Sequence, residues 1–147
     1  MPGTFGSLAT TIILYSLFYK FNISSNIILI GLLVIFIYSF YAVSSYIKDN
    51  TNKDPREIVI DEFLGQSIPI YLYEIFHGTT NESNQVIIYY ILFFALFRYF
   101  DIFKPFPVSF FDKNFKNSFG VIMDDIFAGL YVVLTLVCFI IIKDYLL

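Results

Sequence analysis

"DPREIVIDEFLGQSIPIYLYEIFH", residues 54–77, decides how this chain is read. Its apolar residues recur at helical spacing, yet it carries Asp54, Arg56, Glu57, Asp61 and Glu62 at one end, Pro69 in the middle and Glu74 near the other. The chain around it is greasy: 58% of its 147 residues are hydrophobic and 14% charged, with a mean hydropathy of +0.74. That composition suits lipid, where a helix needs about 20 apolar residues to cross roughly 30 Å of hydrocarbon. Ile27 to Ile47 supplies 21 uncharged residues, and Ile126 to Ile142 another 17. Met1 to Tyr19 is uncharged too and lacks the positive leader and small-residue cleavage site of a secretory signal, so it reads as a retained first span.

Apolar runs and their breakers predict five helical segments, at about 5–20, 26–47, 56–76, 85–103 and 120–143. The expected fold class is all-α: a polytopic membrane helix bundle of four to five segments, one domain spanning 1–147. The third segment starts with a capping box, Asp54 as N-cap, Pro55 at the first helical position and Glu57 at the third. Whether it crosses, lies in the interface or re-enters is decided by charge. Stretch 48–56 holds Lys48, Lys53 and Arg56, and stretch 98–116 holds Arg98, Lys104, Lys113 and Lys116, together seven of the nine basic residues. Only if the third segment crosses do both fall on one side, which the positive-inside rule makes cytoplasmic. The expectation is five crossings, amino terminus in and carboxy terminus out, with the polar motifs gathered in one cytoplasmic layer.

On a helix Glu57, Asp61 and Gly65 repeat every fourth residue with Glu62 and Gln66 beside them, a polar stripe in which Gly65 lets another helix or a ligand approach closely. Arg98, Asp101 and Lys104 are spaced by three and share a face before Pro105 and Pro107. Asp124 and Asp125 fall in the first turns of the last segment, one turn before Gly129. Carboxylates at membrane depth are costly unless they pair or bind a cation. Here Asp61, Glu62, Asp101, Asp124 and Asp125 outnumber Arg98 and Lys104, a surplus that suits a hard divalent ion such as Mg2+, which takes oxygen ligands and bridges carboxylates to phosphate. Arg98 as a fork and Lys104 as a point charge are then left for phosphate oxygens. The pieces fit a metal-assisted phosphoryl site.

Plainer explanations compete. Acids near a helix start gain about 0.3–1 kcal/mol from the dipole, which covers one of Asp124 and Asp125 better than both. Arg98 and Lys104 can snorkel, with Asp101 pairing to either. Glu74 and His77 are expected to be solvated beside the polar loop that follows them. The Gly3 to Gly6 stretch can cradle phosphate at a helix start, and serves equally as a flexible entry to the first span. The many Phe and Tyr residues read as lipid-facing and belt residues. The single Cys138 lies in an apolar run, which argues against a disulfide framework or an activated thiolate. A net charge of −3 and a pI near 4.9 give no basic surface for nucleic acid.

Four motifs, "PGTFGSL" (2–8), "DPREIVIDEFLGQ" (54–66), "FRYFDIFKPFP" (97–107) and "GVIMDDIFAGLY" (120–131), in this order and at these separations, resemble the phosphatidylglycerophosphatase A family. The resemblance implies a magnesium-dependent lipid phosphatase, multi-pass in a bacterial inner membrane with its site facing the cytoplasm. Its implied reaction removes the terminal phosphate of phosphatidylglycerophosphate to leave phosphatidylglycerol. Matched onto this sequence, the catalytic set is Asp61, Glu62, Asp101, Asp124 and Asp125, with Asp61, Glu62, Asp101 and Asp125 toward metal and Arg98, Lys104 and Thr4 toward substrate phosphate. Within the set the roles interchange: Asp61 with Asp125 or Asp101 holds the ion, and Glu62 or Asp124 is the acid/base. Water attack and a phospho-aspartate intermediate both remain open. Two readings from other classes stand beside it. A small carrier or cation-translocating bundle predicts acids strung through the membrane's depth and a helix broken at midplane; a non-catalytic assembly subunit leaves the acid surplus without a purpose.

Overall fold

A computed structural model of the chain describes residues 2–49, 58–77 and 83–146. The described residues form helices and no strand: α1 (Pro2–Tyr15), prolonged by a π-helical turn over Ser16–Lys20, α2 (Ser25–Asp49), α3 (Ile60–His77), α4 (Ser83–Phe103), α5 (Val108–Asn114) and α6 (Ser118–Leu146). The five long segments are those expected from the hydrophobic pattern. The short α5 was not expected; it follows Pro107 and is separated from α6 by residues 115–117, and the first turn of α6 lies close against that break, so that a Cβ at Gly120 would be 1.7 Å from the Phe115 carbonyl oxygen. The capping box proposed at Asp54, Pro55 and Glu57 lies outside the described residues.

Among the described residues three helices, α2, α4 and α6, are long and apolar enough to cross a membrane, and this is a membrane protein. Their outward residues, such as Ile30, Ile37, Ile88, Ile102 and Phe139, are exposed, as lipid-facing side chains should be. The third segment is different in kind. With Asp61, Glu62 and Glu74 it is too charged to face lipid, so it sits inside the bundle and packs against α1, α2, α4 and, most extensively, α6.

Long-range contacts fix the directions. Gln66 donates to Thr11 and Tyr19 donates to Glu74, so α1 and its π turn run parallel to α3. Tyr71 donates to the Ser25 carbonyl while Leu64 shares a cluster with Val43, so α2 is antiparallel. Tyr90 donates to Glu74 while the Phe97 ring lies at Gly65, so α4 is antiparallel too. Asp61 meets Asp125 and Gly65 meets Gly129, so α6 is parallel. The long segments therefore alternate, and α3 traverses the bundle rather than lying across its end.

Lipid removes the hydrophobic incentive for helices to associate, so close approach at small residues has to supply it. The α3–α6 seam does this. A Cβ at Gly129 would lie 2.2 Å from the Gly65 carbonyl oxygen, and one at Gly65 would lie 2.4 Å from the Asp125 carbonyl oxygen: backbone meets backbone. Pro69 has no N–H for the Gly65 carbonyl four residues back, which removes that oxygen's usual helical donor at the seam. On α1, the buried Ser7 and Thr10 return their hydroxyls to the Gly3 and Gly6 carbonyls at 2.9 and 2.8 Å, keeping that face narrow.

The aromatic residues divide. Phe5, Phe76 and Phe106 are exposed as expected of lipid-facing residues, but Phe93 and Phe97 are completely buried in the core with Leu14, Ile70 and Val132. Glu74 also departs from expectation. It is 3% exposed rather than solvated, and both Tyr19 and Tyr90 donate to its carboxylate.

Candidate active site

The first turn of α3 carries Asp61 and Glu62, and the second turn of α6 carries Asp125. The Gly65–Gly129 seam draws these turns together, so that one oxygen from each of Asp61, Glu62 and Asp125 lies within 4.8 Å of the others. Asp61 and Asp125 are buried and Glu62 is half-buried. Three carboxylates this close repel one another in a medium of low dielectric, and a cation between them removes that cost. The Oε2 atom of Glu62 is buried and has no hydrogen-bond partner among the described residues. An all-oxygen donor set with a vacant acceptor fits a hard divalent ion.

Beside this trio lie Arg98 and Asp124, paired with Asp101 and Lys104 respectively. Arg98, near the end of α4, lies close enough to Gly3 that a Cβ there would be 3.4 Å from its Nη1. Nη1 is also 2.7 Å from Asp101 Oδ2, a charge contact off the line of a hydrogen bond, and Arg98 Nε has no hydrogen-bond partner among the described residues. Asp101 is therefore paired with the guanidinium and stands outside the trio. Lys104 ends α4 in the left-handed region, φ 44°, its N–H donating to the Phe100 carbonyl before Pro105 stops the helix. Its ammonium donates to Asp124 Oδ2 at 2.9 Å and to Asp112 on α5. Burial opposes that charge, but Asp124 and Asp112 outweigh it and hold the ammonium above the ordinary lysine range. Asp124 Oδ1 in turn accepts the Asp125 N–H at 3.0 Å. Because α6 starts at Ser118, both aspartates lie beyond its first turn, where the helix dipole gives little, so the plainer explanation for the pair loses its force.

Thr4 is half-buried in the first turn of α1 and forms no side-chain hydrogen bond to a described residue. Sequence reasoning missed Asp112, which only the unexpected α5 brings to Lys104, and it undervalued Gly3 and Gly6. These are buried contact points: a Cβ would lie 2.0 Å from Glu62 Oε1 at Gly3 and 2.0 Å from Val59 Cγ1 at Gly6. A flexible entry would not be buried against the acidic turn. The signal was present in the spacing of two glycines on one helical face, three residues apart.

The sequence matches a family model described as phosphatidylglycerophosphatase A over residues 1–140. A protein of that name from Haemophilus influenzae is 37% identical over 90% of this chain and 75% of its own length. One from Escherichia coli is 32% identical over 88% of this chain and 68% of its own. A Bacteroides thetaiotaomicron protein named putative phosphatidylinositol-3-phosphatase is 33% identical over 88% and 77%. No solved structure matches. A chain matched over this length by the family model and by relatives of that name belongs to the phosphatidylglycerophosphatase A family.

Proposed function

We propose that this phosphatase hydrolyses the terminal monoester of phosphatidylglycerophosphate to phosphatidylglycerol and phosphate, with Mg2+ held by Asp61, Glu62 and Asp125. The single observation that carries the proposal is the meeting of three acids from two distant helices beside Arg98. In this reading the substrate headgroup enters at the end of the bundle where α1, α3 and α6 begin, and that end faces the cytoplasm at a bacterial inner membrane; the basic residues at the ends of α2 and α4 and in the α5 region support that orientation.

The bound ion supplies neutralisation of the phosphate's negative oxygens. Arg98, through the Nε not engaged by Asp101, offers a donor to one of those oxygens and holds the phosphorus in line with an attacking water. Phosphoryl transfer passes through a loose transition state, so positioning and charge carry most of the rate. The proton of the water goes to a carboxylate of the site, the second oxygen of Glu62 or Asp124 beside it, and passes on to the alkoxide oxygen that leaves as the hydroxyl of phosphatidylglycerol. Lys104 is already held by Asp112 and Asp124, so it acts by fixing Asp124 rather than as a second clamp on phosphate. Membership of a phosphatase family favours this reading over a carrier, as does Glu74: this acid, deep at the opposite end, has its oxygens occupied by tyrosine hydroxyls.

The test is phosphate release by purified protein in detergent. Phosphatidylglycerophosphate should be hydrolysed only with Mg2+, and Asp61→Asn or Asp125→Asn should lower turnover by at least about 100-fold without loss of fold. Full activity in a chelator would end the magnesium proposal. Because one relative is named for a phosphoinositide, phosphatidylinositol 3-phosphate belongs in the same assay, and preferential hydrolysis of it would overturn the substrate assignment.

A further inference from the structure

Gly3 stands apart from the glycines of the helix seam. At Gly65 and Gly129 an added Cβ would strike backbone, which cannot yield; at Gly3 it would strike the end of a side chain, 2.0 Å from Glu62 Oε1 and 3.0 Å from Cδ. Such an end normally swings aside at little cost. Here the directions open to it are poor. Arg98 Nη1 lies 3.4 Å from the same point, and the neighbouring Asp61 and Asp125 oxygens are within 4.8 Å of the Glu62 carboxylate. A methyl at position 3 would therefore move Glu62 toward like charge or out of the trio altogether. Position 3 is ordinary right-handed helix, where alanine is at least as favourable as glycine, so the backbone itself has no need of the glycine.

We infer that Gly3 is a positioning residue for the divalent ion: the bare first turn of α1 is the wall that keeps the Glu62 carboxylate beside Asp61 and Asp125. The inference rests on the metal reading above and adds to it a determinant of ion affinity in the amino-terminal motif, from a residue that ligates nothing. It also separates two effects that usually go together. Gly3→Ala should cost the fold nothing and the site a great deal.

The experiment uses Mn2+ as the probe, its binding to the full chain in detergent followed by electron paramagnetic resonance, alongside the melting temperature. Gly3→Ala should melt with the wild type, yet bind Mn2+ about 10–100-fold more weakly, the range found when groups that orient metal ligands are removed. The Mg2+ concentration needed for activity should rise in step. Shortening the acid supplies the control: in a Glu62→Asp background the carboxylate is withdrawn by one methylene, and adding Gly3→Ala should then change Mn2+ affinity by less than about threefold, because the two effects share one contact. If Gly3→Ala melts early, the same double variant decides, since recovery of melting temperature and ion binding supports the contact and no recovery overturns it. Wild-type Mn2+ affinity in a stable Gly3→Ala protein would overturn the inference while leaving the metal reading intact. Absence of Mn2+ binding by the wild type would sink both.

Discussion

Lys104 shows how much one residue carries here. Its left-handed backbone ends α4 and turns its ammonium toward carboxylates on α5 and α6 at once. Lys104→Met leaves Asp112 and Asp124 without their cation. Breaking a fully buried pair costs about 3–5 kcal/mol; the Lys104 side chain is 29% exposed, so about 1–3 kcal/mol is expected, at about 2–4 °C of melting temperature per kcal/mol in a chain of this size. The pH dependence has a definite sign. Folding raises the lysine's pKa, so its stabilisation is present in full below the unfolded value of about 10.4 and is lost only above it. The gap in melting temperature between wild type and Lys104→Met, contributed by the lysine, should therefore not shrink as pH rises from about 7 to 9. A gap that closes over that interval would show that the ammonium is not held this way.

Among elements, α3 is where sequence and structure can be compared most closely. Its stripe of acids and its Gly65 contact were legible because helical periodicity fixes which residues share a face, and charge cannot face lipid. The burial of Glu74 was not legible. It depends on Tyr19, placed by the π-helical turn, and on Tyr90 from α4, and no local spacing encodes that meeting of three elements. Likewise the pairing of Lys104 with Asp112 requires α5, too short to leave a periodic signal. Two predictions follow from α3's two ends. Glu74→Leu leaves two tyrosine hydroxyls without their acceptor and should lower stability by about 2–4 kcal/mol. Glu74 is about 20 Å along the helix from Asp61, so turnover per folded molecule should stay unchanged, whereas a carrier relaying ions past Glu74 would lose its activity. Gly129→Ala places a methyl against the Gly65 carbonyl and should cost about 1–3 kcal/mol, with a fall in turnover as Asp125 is carried away from Asp61. Gly65→Ala should do the same, and the double variant should cost less than the sum, since both wedge the same seam.

At the scale of the whole molecule, the bundle is built around one tight seam. α2 offers most of its surface outward, while α3 and α6 touch backbone to backbone. The separation of the two helix turns that carry Asp61 and Asp125 is thus set by main-chain atoms in contact. Bilayers differ in thickness, and proteins answer by tilting or bending the helices that lipid can grip. In this chain that deformation is expected on α2, a lipid-facing helix that takes no part in the α3–α6 seam. Reconstituted into lipids of 14-carbon and 18-carbon chains, the enzyme should change its turnover by less than about twofold while a probe on α2 reports a change in tilt. An organism that remodels its acyl chains with temperature would thereby keep headgroup synthesis running while the membrane around it is rebuilt.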